Sequence, residues 1–316
     1  CGPRIQGHRV QGAGGVEGIE EILQAGIKNQ LFSYFCQIYP NTEMDEPAYR
    51  GKFGIRTVTL PLCEIHGAVR PEGSIPEVEE IVVSTDSMTV KDWRRMAVYS
   101  WTMQLLYSLK LAFYVMAYLH RRHGLRFSDF LESVCEFPEG KALDTILGQE
   151  MLRFYERADA IAQGRSGRGV VMPEFGAIYL EEEEASFLRI SSAKERFYDE
   201  LLGCVRAFLR HRNVAFSDEE LAEVVAYQRM RVASPYGIER RETSFSHNIP
   251  EYLDSLFLDH PVALVPRPSR MSLVDPFDYK GDKRRFMRDR ILFGRKSGTI
   301  LYDVSWKSLD PSSVRV

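Results

Sequence analysis

The sequence predicts an α/β segment followed by a mostly helical one that closes on a β-hairpin. Three observations carry this expectation. Leu31 to Ile38 is apolar almost throughout and lies between Gly26, a helix stop, and Pro40, which cannot donate to a ladder. From Trp93 to Arg122 the apolar residues recur at helical spacing, with Gly124 where a C-terminal stop belongs. Near the end, Gly294-Arg-Lys-Ser-Gly298 separates Ile291-Leu-Phe from Thr299-Ile-Leu-Tyr-Asp-Val, which is a hairpin signal.

The elements follow in order. Val16 to Ala25 is a short amphipathic helix. Leu31 to Ile38 then reads as a buried strand, and Asn41, Thr42 and Glu43 form a polar rim at its carboxyl end. Helix, turn, apolar strand and polar rim together make one unit of a parallel α/β sheet. Ligands sit at the carboxyl ends of such strands, which directs attention to Tyr39 through Met44. A turn-forming Pro40-Asn41 pair is the plainer account of the same residues. Arg56 to Leu60 and Glu79 to Ser84 read as further short strands. Thr89 with Asp92 is a weak capping box opening the long helix. Lys110 and several hydroxyl and amide side chains interrupt that helix, so a buried central helix is expected rather than a membrane span. Lys141 to Gln163 is helical, and Val170 to Leu180 is short-strand material. Ser192-Ala-Lys-Glu195 and Ser217-Asp-Glu-Glu220 are capping boxes for two more helices. Asn248-Ile-Pro opens another with proline in its first turn, and Asp282 to Arg288 reads as one more.

The totals narrow the function classes. The 316 residues, 44% hydrophobic and 27% charged, can build a core and allow two domains. A formal charge of −3 argues against a nucleic-acid partner. Five scattered cysteines suggest a reducing, cytoplasmic setting; Cys36 and Cys135 read as buried free thiols. No cysteine pair has the close spacing of a zinc or iron–sulfur site.

Other constellations have mostly structural readings. His120-Arg-Arg-His123 reads as a positive last helical turn rather than a metal pair. Glu181 to Glu184 reads as a solvated acidic run, because consecutive helical residues do not converge on one ion. Lys280 to Arg290 reads as a charged surface helix, with binding of phosphate or an acidic partner as the other possibility. Gly12-Ala-Gly-Gly15 faintly echoes a phosphate loop but has no Lys-Ser or Lys-Thr pair. The residues alone reveal no catalytic group and no metal ligand.

The wording of the chain goes further. Gly26-Ile-Lys-Asn, Tyr39-Pro-Asn-Thr-Glu-Met44, Pro47-Ala-Tyr-Arg50 and Phe53-Gly-Ile-Arg-Thr-Val58 resemble the late barrel region of radical SAM enzymes of the cobalamin-binding-domain type. The resemblance continues in Asp92-Trp93, Leu125 to Phe130, Asn248 to Tyr252, Gly281-Asp-Lys-Arg284 and Gly294 to Gly298. It implies the late part of a partial (β/α) barrel over residues 1–88. A helical extension over 89–316 would end in the hairpin. It also implies SAM, a four-iron four-sulfur cluster and possibly cobalamin as cofactors of the whole protein, and a methyltransferase-like activity on an unknown small molecule. Tyr39, Asn41, Thr42 and Glu43 would lie near SAM or substrate. The Cys-x-x-x-Cys-x-x-Cys of the family is not in these residues, and neither is the Asp-x-His-x-x-Gly of its cobalamin module. The chain is therefore either a carboxyl-terminal portion of such an enzyme or a degenerate relative without cluster chemistry; the first is expected, a portion inactive alone that closes the barrel and shapes the substrate pocket. It would need missing N-terminal domains or would self-associate. The alternative is a non-catalytic helical module that holds a partner through the long helix and the 280–290 segment.

Overall fold

A computed structural model describes residues 12–136, 144–258 and 260–309. Helix α1 (Gly12–Gln24) packs on the long central helix, and its buried Glu20 accepts hydrogen bonds from the backbone N–H groups of Phe127 (3.2 Å) and Ser128 (2.6 Å). Those are orphan donors at the start of a later helix, so a carboxylate is well placed there. Gly15 belongs to α1, not to a phosphate loop; a Cβ on it would meet Met96 Cε at 2.7 Å.

Strand β1 is Gln37–Ile38 only. The expected buried strand over Leu31–Ile38 is corrected: Phe32 is 49% and Tyr34 72% exposed, and residues 31–36 form no ladder. Of this run Cys36 O reaches a later strand, accepting from Val82 N–H at 2.9 Å, and residues 32–35 run along a cleft outside any ladder. Cys36 is consequently exposed rather than buried, whereas Cys135 is buried as expected. Helix α2 (Pro47–Phe53) has proline in its first turn and closes on Gly54 in the left-handed region. Strands β2 (Arg56–Pro61) and β3 (Val78–Ser84) follow. The sheet order is β1-β3-β2 and both pairings are antiparallel, which corrects the parallel unit read from the sequence.

Helix α3 (Val90–Met103) opens with the expected capping box: Thr89 Oγ1 accepts from Asp92 N–H at 3.2 Å, and Thr89 N–H donates to Asp92 Oδ2 at 3.0 Å. The central helix is not continuous. It widens into a π-helical segment over Gln104–Ser108, breaks at Lys110 (φ 65°), and resumes as α4 (Phe113–His123). Both halves are buried, and no helix among the described residues is long and apolar enough to cross a membrane.

Around this axis lie α5 (Phe127–Cys135), α6 (Ile146–Ala162) and the hairpin of β4 (Val170–Met172) with β5 (Gly176–Leu180). Helices α7 (Glu182–Ser192), α8 (Lys194–His211) and α9 (Asp218–Arg231) complete the bundle. Part of the expected Lys141–Gln163 helix falls outside the described residues. Ser192 does not cap α8. It ends α7, with its hydroxyl donating back to Leu188 O at 2.9 Å, as mid-helix serines do. Ser217 does cap α9, accepting from Glu220 N–H at 3.2 Å.

The C-terminal region holds β6 (Glu242–Phe245), α10 (Ile249–Ser255), β7 (Ser269–Leu273), α11 (Lys283–Met287), a second π-helical segment (Arg288–Phe293), α12 (Gly294–Ser297) and β8 (Val304–Ser308). The expected terminal hairpin is corrected. Ile291–Phe293 is helical, and β8 pairs antiparallel with β7 in a β6-β7-β8 sheet. Gly298, at φ 76°, ends α12 rather than turning two strands. The apolar core is continuous from Val16 through the central helix to Tyr302.

Candidate substrate cleft

A cleft of about 1170 Å³ opens between α3 and the segments 32–37 and 62–66. Its floor is one stripe of α3: Trp93, Met96, Ala97, Ser100, Trp101 and, at the start of the π segment, Gln104. These positions recur at three- and four-residue steps, so they share one helical face. Phe35 leans over that floor, with ring centroids 5.1 Å from Trp93 and 5.8 Å from Trp101. This part of the cleft is therefore aromatic.

Its inner end is ionic. Arg295 is buried on α12 and its guanidinium fans out to four side chains. Nη1 donates to Glu184 Oε1 at 2.6 Å. Nη2 donates to Glu183 Oε1 at 2.8 Å and to Gln104 Oε1 at 3.2 Å. Nε donates to Gln30 Oε1 at 2.7 Å. The plane also lies 4.6 Å from the centroid of Phe32. Only arginine offers donors in such a fixed fork. His66 reaches the same carboxylate, with Nε2 donating to Glu184 Oε2 at 2.9 Å. His66 is itself in the left-handed region (φ 67°), and its backbone N–H is tied to Tyr179 O at 2.7 Å. The loop is thus fastened to β5 in the one conformation that points the ring inward.

The acidic run is the main correction to the sequence reading. Glu182, Glu183 and Glu184 are 5%, 1% and 0% exposed. All three are buried against arginines rather than solvated. Glu182 faces Arg157 (3.3 Å) and Arg189 (3.5 Å), while Glu183 and Glu184 share Arg295. All three stand in the first turn of α7, where the helix dipole favours negative charge. Burial raises the Glu183 carboxyl above its ordinary range against the pull of Arg295. Burial also pushes Glu184 up, but the His66 hydrogen bond and Arg295 outweigh it and the net shift is downward. Glu181, half-buried at the cleft wall, is raised to about 8 by burial and by the neighbouring Glu183.

Two buried polar atoms here have no partner: Glu183 Oε2 and Ser100 Oγ. Both residues line the cleft.

Of the residues singled out from the sequence, Tyr39 lines the cleft at its rim, where its hydroxyl donates to Gln37 Oε1 at 2.7 Å. Asn41, Thr42 and Glu43 lie in the following turn and are not in the lining. Asn41 N–H donates to Asp45 Oδ2 (3.1 Å), Thr42 Oγ1 donates to Tyr39 O (2.7 Å), and Glu43 starts a short 3-10 turn. The His120/His123 pair is not a joint site. His120 Nδ1 bonds Leu125 O at 2.9 Å, and His123 packs edge-on to Tyr118. Within 280–290, Arg285 is engaged with Asp289 and Phe277, and Arg290 with Thr299 O and Tyr302. Helices α3 and α4 are largely buried, whereas Lys280, Arg284, Arg285 and Arg288 are exposed. Sequence reading missed Arg295, His66 and the α3 stripe. The only available signals were the four consecutive glutamates and the three- and four-residue spacing of Trp93, Met96, Ser100 and Gln104.

No family model matches the chain. Among curated proteins it is 26% identical over 274 residues to a 2-(S-pantetheinyl)-carbapenam-3-carboxylate methyltransferase of Streptantibioticus cattleyicolor, covering 82% of this chain and 38% of that one. It is 24% identical over 253 residues to the cobalamin-dependent radical SAM methyltransferase TokK of Streptomyces tokunonensis, covering 75% of this chain and 36% of that one. The chain thus spans less than two fifths of the length of either relative. Both are methyltransferases, in keeping with the resemblance that runs from Gly26 to Gly298.

Proposed function

We propose that this chain is the carboxyl-terminal, substrate-facing portion of a cobalamin-dependent radical SAM methyltransferase-like enzyme, and that the α3 cleft receives the small molecule to be methylated. The observation that carries the proposal is the cleft itself: an aromatic floor ending in a buried arginine hub. Pockets of this kind, mostly apolar with a few convergent polar groups, are where small molecules bind. The likeness to two methyltransferases over most of the chain supports the same reading.

The cluster chemistry does not fit this chain's own donors. Cys36 and Cys63 line the cleft, but Cys135 and Cys204 do not. Among the described residues, the one His/Cys/Asp/Glu group close enough to share a metal is Glu219, Glu223 and His247, which contains no thiol. A four-iron four-sulfur cluster needs three converging thiolates to leave one iron open. In the proposed enzyme the cluster, SAM cleavage and cobalamin therefore belong to other parts of the protein. This chain's share is to bind and orient. Trp93, Trp101 and Phe35 exclude water from the bound molecule, and Arg295 holds Glu183, Glu184 and Gln104 in fixed positions beside it. Tyr39 stands at the rim, where it would meet the reacting end.

The first test is the intact mass of the protein from its native source. The proposal expects a mass well above 36.3 kDa, with Cys-x-x-x-Cys-x-x-Cys in the additional sequence. A mass of 36.3 kDa would remove the radical SAM reading.

A further inference from the structure

The inner end of the cleft contains two unmet polar groups and one rigid element that explains why they stay unmet. Glu183 uses Oε1 on Arg295, and its Oε2 has no partner although the residue is 1% exposed. Ser100 is 8% exposed and its hydroxyl has no partner. Buried polar atoms in folded proteins are nearly always bonded, and each exception needs an account. These two are neighbours through a short chain of contacts: Arg295 Nη2 bridges Glu183 Oε1 and Gln104 Oε1, and Ser100 stands one turn before Gln104 on the same face of α3. The hub cannot satisfy them, because the Arg295 fork is already shared among Gln30, Gln104, Glu183 and Glu184. Both oxygens of Glu184 are also used, one by Arg295 and one by His66.

From this arrangement we infer that the cleft takes an amphipathic ligand bearing a protonated amine, with the ammonium group donating to Glu183 Oε2 and Ser100 Oγ and the apolar body lying on Trp93 and Trp101. The carboxylate only accepts, and the hydroxyl can accept as well as donate, so a ligand donor is the one group that satisfies both. One guanidinium faces two carboxylates here, and a cationic donor suits that imbalance better than a neutral one. The indole faces beside the site favour a cation as well. Of the other arginines and lysines lining the cleft, Arg168 is engaged by Glu79 at 2.9 Å, Arg70 by Glu77, and Lys296 is exposed, so none competes for the position. An anionic head group would face Glu183 and find no free guanidinium donor. The inference rests on the cleft being the substrate site proposed above, and it names the chemical class of that substrate.

Calorimetric titration of the purified protein with three probes of one shape tests it: tryptamine, tryptophol and indole-3-propionate. Tryptamine is expected to bind, tryptophol about tenfold more weakly, as for loss of a charge-assisted bond, and the carboxylate not measurably. Ser100→Ala should weaken tryptamine about fivefold without lowering the melting temperature, because the hydroxyl makes no bond within the protein. Glu183→Gln should remove the preference for the ammonium over the alcohol. Equal binding of amine and alcohol, tightest binding of the carboxylate, no binding of any probe, or tryptamine affinity unchanged in both variants would each overturn the inference. Because the readout is binding, its failure is separate from failure of the methyltransferase reading. Amine binding by a protein that transfers no methyl group would keep the one and remove the other.

Discussion

Arg295 is the residue on which the site depends. Its guanidinium neutralises two carboxylates that are almost wholly removed from water. Removing one partner of a buried ion pair leaves a charge with nothing to offset its desolvation. Arg295→Met should therefore destabilise the protein by about 3–5 kcal/mol in denaturant unfolding. A loss below ~1 kcal/mol would mean the carboxylates find other partners or water. Glu181 supports a second prediction at this scale. Its folded value of about 8 lies above the ordinary 4.5, so between those values the folded state holds a proton the unfolded state has released. Stability from this group is full at the acid end and is lost as the pH rises through that window. Glu182 and Glu183 shift the same way through burial, and Glu184 opposes them. Glu181→Gln should flatten the decline of melting temperature between pH 5 and about 8, and an unchanged profile would contradict the assignment. None of this was legible in the sequence, where four consecutive glutamates look like a solvated face. What separates the two cases is whether arginines arrive from elsewhere. Here they come from Arg157, Arg189 and Arg295, which lie 25, 7 and 111 positions from the glutamates they pair with, separations that no local pattern encodes.

At the scale of elements, two π-helical segments deliver the hub. One begins at Gln104 and the other ends just before α12, which carries Arg295. Such widened turns cost helix geometry and occur often at functional sites. The second depends on Gly294, where an added Cβ would lie 2.6 Å from the backbone oxygen of Asp289. Backbone cannot move aside as a flexible side chain can. Gly294→Ala should therefore cost about 1–3 kcal/mol by overpacking and displace Arg295, weakening ligand binding in the cleft. Wild-type stability with wild-type binding would show that the turn relaxes freely. Short signals with a local cause were legible: the Thr89/Asp92 box, the Ser217 cap, the proline start of α10 and the strands β2 and β3. Signals whose meaning depends on distant neighbours were misleading. Leu31 to Cys36 has strand composition but forms no ladder, and its bond to β3 is at Cys36 O alone among the described residues. Gly294 to Gly298 has turn composition but sits at the end of a helix whose buried face, from Phe286 to Ile291, fixes its course.

For the whole molecule, the core is continuous, yet one side is left apolar and uncovered. Phe32, Tyr34 and Tyr39 are exposed beside the cleft mouth, on backbone that forms no ladder from 31 to 36. Exposed apolar residues grouped around unpaired backbone are covered by a further layer of protein or by self-association. The chain alone should elute above its monomer mass and bind a hydrophobic dye; a monodisperse monomer with no dye binding would contradict this. The resemblance rested on wording such as Tyr39-Pro-Asn-Thr-Glu-Met44, and two methyltransferases are similar to most of the chain. The cleft was not legible in the sequence, because its walls come from six separate parts of the chain. The central claim is that this cleft is the substrate side of a SAM-dependent methyltransferase. The most direct measurement is anaerobic incubation of the native-source protein with methyl-labelled SAM, cobalamin, reductant and a small-molecule extract of its source. The account predicts label transferred to a small molecule, and at least tenfold less of it when Trp101→Ala opens the cleft floor. No labelled product, or transfer undiminished in that variant, would contradict it.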